Sequence, residues 1–260
     1  MHQTIPEFSR FRHSDLDFAY FDVGPRDAAP VLLIHGFASS ALVNWVHPGW
    51  VQTLLKAGRR VIAIDNRGHG ESGKPHDPAA YHPALMADDS AALLDHLGIR
   101  TADVMGYSMG ARISSFLALH HPERVRSLVW GGLGYGLVQG VGDWDPIADA
   151  LLAPSLDDVT HERGRMFRAF ADKTGSDRVA LAACISSNRV LVTEAEVARI
   201  LQPVLIAVGT KDDIAGDPHK LASLLSDGRA IDIPGRDHML AVGDRVFKQA
   251  ALDFYQDLDR

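Results

Sequence analysis

The stretch Gly106-Tyr107-Ser108-Met109-Gly110 decides the fold, because it joins a short apolar run to a helical pattern through one tight turn. Residues 102–105 have the branched apolar character of a buried strand, and residues 111–119 carry apolar side chains at helical spacing. So sharp a reversal strains the backbone of Ser108 and leaves no room for side chains two positions away, where both residues are glycine. The sequence therefore predicts a serine hydroxyl at a helix N-terminus, with the backbone N–H of Met109 open to an anion.

The composition is that of an ordinary globular protein. Of the 260 residues, 46% are hydrophobic and 23% are charged, and the formal net charge is −7. This negative balance argues against nucleic-acid and anionic-membrane partners. Cys184 is the only cysteine, so an internal disulfide is impossible and a buried core position is expected for it. Residues 1–12 lack the apolar run of a secretory signal, and no run is long enough to span a membrane. We expect a cytoplasmic protein that acts on a small molecule; the sequence does not indicate an oligomeric state.

Short apolar runs recur with room for a helix between them, which is typical of a parallel sheet covered by helices on both faces. The predicted strands comprise residues 16–21, 31–35, 61–65, 102–106, 125–130, 204–209 and 229–233. The predicted helices comprise residues 51–57, 88–97, 109–121, 219–226 and 244–257. The sequence therefore predicts an α/β fold with a mostly parallel sheet wrapped by helices.

The alternation stops between residues 130 and 203, where helical patterns such as 163–171 and 178–185 replace the strands. We therefore predict a helical cap over residues 133–202, inserted into a core domain formed by residues 1–132 and 203–260. A glycine-rich run, residues 131–136, opens the insertion. A phosphate-binding loop is one interpretation of that run, but no Lys-Ser/Thr pair follows it, so a hinge into the cap is preferred.

A serine hydroxyl is a weak nucleophile unless a base lies within hydrogen-bond reach and a third group orients that base. His238 follows the last predicted strand, and Asp212 and Asp213 follow the strand after the cap. Because the carboxyl ends of parallel strands meet at one edge of a sheet, these side chains are expected to lie near Ser108. Only one of the two adjacent carboxylates can face the histidine, so this pattern leaves both open.

The order Ser108, Asp212, His238 resembles that of the α/β-hydrolase superfamily, and the resemblance covers nearly the whole chain. His35-Gly36-Phe37 is similar to the family's oxyanion segment, and residues 65–72, Asp-Asn-Arg-Gly-His-Gly-Glu-Ser, resemble its D-x-R-G-x-G-x-S turn. The resemblance implies an α/β-hydrolase fold and a catalytic triad of Ser108, His238 and an aspartate. It also implies an oxyanion hole made by the backbone N–H groups of Phe37 and Met109.

Family spacing selects Asp212 as the acid, and Asp213 stays an alternative because it stands where many relatives have proline. A serine at the turn argues against the haloalkane dehalogenase and epoxide hydrolase branches, which use aspartate there. No cofactor or metal is expected. The pair His120-His121 points in two directions on a helix and has no third ligand at matching spacing.

The leading functional hypothesis is hydrolysis of a small or medium carboxylic ester through an acyl-enzyme intermediate. Two alternatives use the same nucleophile: a carbon–carbon bond hydrolase of aromatic degradation, and an aminopeptidase-like amide hydrolase. A pocket with cationic side chains would favour the first alternative, and an acidic pocket would favour the second. A ligand sensor with very slow turnover is a further possibility. The residues expected to line the substrate pocket, each of which could instead be core packing, are Phe37, Trp45, Trp130, Leu133, Trp144 and Phe167.

Overall fold

The computed structural model describes residues 5–140, 142 and 144–260, in which eight strands form one sheet. The predicted core and cap ranges also include residues 1–4, 141 and 143, which lie outside the described residues. The sheet order is β1-β2-β4-β3-β5-β6-β7-β8. The strands are β1 Ser9–His13, β2 Leu16–Val23, β3 Pro30–Ile34, β4 Arg60–Ile64, β5 Ala102–Tyr107, β6 Val125–Gly131, β7 Val204–Gly209 and β8 Gly228–Ile233.

Strands β3 to β8 are mutually parallel where they pair, whereas β2 runs antiparallel to both β1 and β4. Each of the seven predicted strands corresponds to an observed one, with bounds that agree to within two residues. The sequence did not predict β1, which joins β2 through a turn at Ser14 and Asp15, both with positive φ. Such hairpin turns usually contain glycine, and the lack of one here hid the hairpin.

Helices cover both faces of the sheet. The described α-helices are α1 Trp50–Lys56, α2 Pro83–His96, α3 Met109–His120, α4 Gly136–Gln139, α5 Asp145–Leu152, α6 Glu162–Thr174, α7 Arg178–Ser187, α8 Glu194–Val197, α9 Pro218–Ala222, α10 His238–Ala241 and α11 Arg245–Leu258. Side chains of β3 alternate between the faces, as a strand requires: Leu32 and Ile34 pack toward α2 and α3, and Val31 and Leu33 toward α1 and α11. The predicted α/β class with a mostly parallel sheet is confirmed.

Helices α4 to α8 occupy the chain between β6 and β7, within the segment we call the cap, residues 133–202. Helices α5, α6 and α7 bury a small apolar cluster that includes Leu151, Phe167 and Leu181 and extends to Ala38 of the core. The cap therefore packs over the segment that follows β3. Cys184 is buried on α7, as expected. None of the helices in the described ranges is long and apolar enough to cross a membrane.

Candidate active site

The turn between β5 and α3 holds Ser108 in a strained conformation. Its φ is 54° and its ψ is −111°, a region that non-glycine residues rarely adopt. A Cβ built on Gly106 would overlap the carbonyl oxygen of Gly110, and a Cβ on Gly110 would overlap that of Ile34. The two glycines are therefore required by close backbone approach. Strain of this kind persists only where the surrounding structure imposes it, and it is common at functional sites.

Three side chains from three strand ends form one hydrogen-bonded chain beside this turn. The Nε2 atom of His238 lies 3.0 Å from the Oγ of Ser108, and its Nδ1 lies 2.7 Å from the Oδ2 of Asp212. The other oxygen of Asp212 accepts hydrogen bonds from the backbone N–H groups of Ile214 (2.9 Å) and Ala215 (3.0 Å). This carboxylate is fully buried, so its orientation is fixed on both sides.

Asp213 faces away from the histidine. Its side chain is 78% exposed, and its Oδ2 accepts a hydrogen bond of 3.0 Å from Arg163 of the cap. The geometry therefore favours Asp212 over Asp213 as the partner of His238. A further hydrogen bond holds the backbone of His238: the hydroxyl of Tyr107 donates to the His238 carbonyl at 2.5 Å. The sequence analysis did not single out Tyr107 for this role, although it is the residue that precedes the serine.

The segment after β3 lies directly beside the serine. A Cβ on Gly36 would come within 3.5 Å of the Ser108 Cβ, and the N–H of Gly36 donates to Asn44 at 2.7 Å. Within the described residues, neither the N–H of Phe37 nor that of Met109 has a hydrogen-bond acceptor. Both donors are therefore unpaired among the described residues, and the oxyanion hole stays a prediction. Asn44, which orients this loop, was missed because no motif marks it.

His35 anchors the same segment through both of its ring nitrogens. Its Nδ1 donates to the Gly36 carbonyl (2.8 Å), and its Nε2 accepts from the N–H of Asn66 (2.9 Å). Complete burial lowers the pKa of His35 to about 4, so the ring stays neutral at physiological pH. The neutral tautomer with hydrogen on Nδ1 satisfies both contacts.

The D-x-R-G-x-G-x-S turn supports this loop from the neighbouring strand. Asp65 accepts hydrogen bonds from the backbone of Ala41 (2.7 Å) and Glu71 (2.9 Å). Arg67 makes two hydrogen bonds of 2.7 Å to the buried carboxylate of Asp89. Asp65 therefore attaches the turn to the segment after β3, and Arg67 attaches it to α2.

A cavity of about 390 Å³ opens above Ser108 and His238, between the core and the cap. Four of the predicted lining residues border it: Phe37, Leu133, Trp144 and Phe167.

Two other predicted lining residues, Trp45 and Trp130, are absent from the described cavity wall, so those predictions were wrong. Both are fully buried in the core. The Trp45 ring packs edge-on against Trp50 of α1. Trp130 lies in β6 and donates to Ser114 of α3 at 2.9 Å. Side chains of a strand point to the faces of the sheet, which is where Trp130 finds its partner, whereas the cavity lies at the sheet's edge.

The cavity wall includes two cationic side chains that the sequence analysis did not identify, Arg112 of α3 and Arg189 just after α7. Burial lowers the pKa of Arg112 to about 10. Burial, and then the positive charges of Arg112 and Arg163, lower the pKa of Arg189 to about 9. The described wall contains no aspartate or glutamate. Across the described chain, no group of three His, Cys, Asp or Glu side chains is placed to hold a metal ion.

This fold and this site define a class of protein. A nucleophile on a strand-to-helix turn, with a histidine and an aspartate from later strand ends, is the arrangement of the α/β hydrolases. The family described as the alpha/beta hydrolase fold matches residues 29–152. Over 248 residues the chain is 31% identical to the candidate non-heme bromoperoxidase BpoC of Mycobacterium tuberculosis, with 86% of this chain and 91% of that protein covered. The chain belongs to the α/β-hydrolase fold family.

Two further similarities extend this result. The chain is 37% identical over 115 residues to a 2-hydroxymuconate semialdehyde hydrolase of Pseudomonas sp. strain CF600, which covers 43% of this chain and 40% of that relative. Among solved structures, a hydrolase from Pseudomonas aeruginosa PA01 superposes with a TM-score of 0.78 at 26% identity, covering 95% of this chain and 98% of the other. The match to the 2-hydroxymuconate semialdehyde hydrolase therefore spans less than half of either protein.

Proposed function

We propose that this protein is a serine hydrolase that cleaves small or medium carboxylic esters through an acyl-enzyme. The observation that carries this proposal is the hydrogen-bonded chain from Asp212 through His238 to Ser108, which ends at the floor of a cavity. A serine beside a histidine whose other nitrogen is held by a buried carboxylate has the arrangement needed for nucleophilic acyl transfer.

Each group has one role in this mechanism. The Ser108 oxygen attacks the acyl carbon while its proton moves to Nε2 of His238, and the carbonyl π electrons move onto the oxygen. The backbone N–H groups of Phe37 and Met109 hold that oxyanion; loss of one such donor typically costs about 3–4 kcal/mol of transition-state stabilisation. The intermediate collapses when the alcohol leaves with the proton from His238. Water, deprotonated by the same nitrogen, then attacks the acyl-enzyme and releases the acid.

The cationic cavity wall favours one second candidate, hydrolysis of a carbon–carbon bond in a ring-cleavage acid. The relative named as a 2-hydroxymuconate semialdehyde hydrolase supports the same candidate. Arg112 and Arg189 suit a substrate with a negative charge. Nothing in the described wall supplies the carboxylate that a peptide amine would need, so the amide alternative has no such support.

A chromogenic p-nitrophenyl ester tests the proposal. Ser108→Ala is expected to abolish turnover at an unchanged melting temperature, whereas Ser223→Ala, an exposed serine on the core surface, keeps both. Retained turnover in Ser108→Ala would refute the role of Ser108. A stoichiometric burst without later turnover would favour the sensor, and selective cleavage of a ring-cleavage ketone over every ester would favour the carbon–carbon hydrolase.

A further inference from the structure

Arg189 is a cationic side chain in the catalytic cavity whose guanidinium has no polar partner among the described residues. Its guanidinium carbon lies 3.7 Å from the centre of the Trp144 ring, so the ring covers one face of the charge. Within the described chain, no carboxylate lies in ion-pair distance of Arg189, and its N–H groups make no hydrogen bond. Four other cap arginines each pair with a carboxylate, unlike Arg189: they are Arg163, Arg165, Arg168 and Arg178.

Both chain neighbours of Arg189 contact α3, the helix that follows Ser108. Its chain neighbour Asn188 is buried, and the Asn188 Nδ2 lies 2.7 Å from the sulfur of Met109, the residue that follows the catalytic serine. Its other neighbour, Val190, accepts a hydrogen bond of 2.5 Å from Arg112. The residues on both sides of Arg189 therefore contact α3, Asn188 through its side chain and Val190 through its backbone.

The two cavity arginines differ in what they can offer a ligand. Arg112 directs its N–H groups at backbone carbonyls of Gly136, Leu137 and Val190, so it contributes charge but few free donors. Arg189 keeps its donors. The Trp144 ring covers the guanidinium without using a donor, and the planar guanidinium fork matches the two oxygens of a carboxylate. The like charges of Arg112 and Arg163 already disfavour the cation at Arg189. A bound anion would offset that repulsion.

We propose that Arg189 binds a carboxylate at the far end of the acyl group, so that the preferred substrates are monoesters of dicarboxylic acids. This inference rests on the proposed ester hydrolysis and names its substrate class. The Arg189 guanidinium binds the carboxylate, Trp144 packs against the guanidinium, and Arg112 adds a second positive charge to the same cavity. The apolar residues Leu133, Phe167 and Ile185 border the same cavity and suit the methylene chain between the two carbonyl groups.

The test compares matched pairs of p-nitrophenyl esters. One series contains the monoesters of succinic, glutaric, adipic and suberic acids, and the other contains the same esters with the free carboxylate capped as a methyl ester. At the chain length that reaches Arg189, the wild type is expected to have a higher kcat/KM for the acid than for its capped partner. Ser108→Ala supplies the blank, because neighbouring carboxylates hydrolyse the shorter monoesters without an enzyme.

Arg189→Gln is expected to lower kcat/KM for the acid about tenfold or more, since a charge-assisted hydrogen bond is lost, and to change the capped ester by less than about twofold. Arg189→Lys restores part of the loss because the charge remains. Arg178→Gln, at the start of α7, changes neither series. Retained activity on the capped esters shows that each variant is folded. Wild-type preference for the capped ester at every length, or an equal loss on both series in Arg189→Gln, would overturn the inference.

Failure of the proposed function gives a different result. If no ester is turned over, or if Ser108→Ala retains turnover, ester hydrolysis through this serine is refuted. The carboxylate site is then decided by calorimetric titration of the free dicarboxylates into the wild type and Arg189→Gln. Binding that the variant loses supports the site, and equal or absent binding in both overturns it.

Discussion

Replacing Asp212 by asparagine is expected to remove activity while leaving the fold intact. The asparagine oxygen can still accept from the N–H groups of Ile214 and Ala215, now at 2.9 and 3.0 Å from the carboxylate. Its amide nitrogen then takes the place of the oxygen that lies 2.7 Å from His238 Nδ1. A donor there stabilises the histidine tautomer that carries its hydrogen on Nε2. That tautomer cannot accept the proton of Ser108.

The size of the effect follows from this change of tautomer. The corresponding replacement in a serine–histidine–aspartate triad lowers kcat by about 10⁴, or about 5.5 kcal/mol of activation free energy. Asp213→Asn is the matched control, because it removes the same charge one residue along the chain. That side chain is 78% exposed and pairs with Arg163 on the surface. Exposed ion pairs contribute about 0–1 kcal/mol, so kcat should change by less than about fivefold.

Both variants are assayed with the same p-nitrophenyl ester, and their thermal unfolding is recorded alongside. Asp212→Asn is expected to keep the wild-type melting temperature to within a few degrees, since its backbone hydrogen bonds persist. Three results would refute the reasoning: equal losses in the two variants, a larger loss in Asp213→Asn, or a folded Asp212→Asn with near-normal kcat. The second result would make Asp213 the functional acid after a rearrangement of the loop.

Two further predictions concern stability. Gly110→Ala places a Cβ on the carbonyl oxygen of Ile34 and is expected to lower the free energy of unfolding by more than about 3 kcal/mol or to prevent folding. Gly98→Ala, with φ of 65° and open space around it, is expected to lower it by about 1–2 kcal/mol. Urea unfolding compares the two variants, and equal losses of stability would refute the steric argument. Burial lowers the pKa of His35 to about 4 and that of His69 to about 3, so between about pH 6.5 and pH 4 the unfolded chain binds protons that the native state does not. Each ring should therefore lower the free energy of unfolding by about 1.4 kcal/mol per pH unit as the pH falls. Burial raises the pKa of Asp89 to about 6, and this opposes part of the fall because the native state binds that proton first, so a rise in the free energy of unfolding over this range would contradict the assignment.

The parallel core was predictable because its signals are local. Strands β4, β5 and β7 are five or six residues long and fully buried, so their local apolar pattern identifies them. Strand β1 gives no such signal. Only Phe11 of its five residues is buried, and the turn that follows uses Ser14 and Asp15 at positive φ. Its place in the sheet comes from pairing with β2, which is a tertiary effect.

The grouping of Ser108, Asp212 and His238 was predictable for a geometric reason. Parallel strands bring their carboxyl ends to one edge, so residues just past those ends meet without any knowledge of side-chain packing. The choice between Asp212 and Asp213 needed the structure. Residues on consecutive positions of a loop point in different directions, and the hydrogen bonds of Asp212 to His238, Ile214 and Ala215 show which carboxylate is turned inward.

The cavity wall was the least predictable part. Aromatic identity does not specify the side of the sheet on which a ring packs, so Trp45 and Trp130 were expected at the cavity and lie in the core. Arg189 gave the opposite error. An isolated arginine after a helix normally indicates a solvated surface. Its place in the cavity depends on Trp144, which is distant in sequence, and on Asn188, which is adjacent but belongs to no motif.

Helix α3 holds the cap beside Ser108 through one arginine. Helix α3 begins one residue after Ser108, and Arg112 follows one turn later. Its guanidinium contacts the carbonyl of Gly136, where the chain enters the cap, and that of Val190, where the last long cap helix has ended. The same helix therefore presents the serine and holds both ends of the segment that carries Arg189. Because these contacts are made by main-chain carbonyls, cap side chains can change without releasing the cap from the nucleophile. Substrate choice can thus vary while the geometry of Ser108, His238 and Asp212 stays fixed.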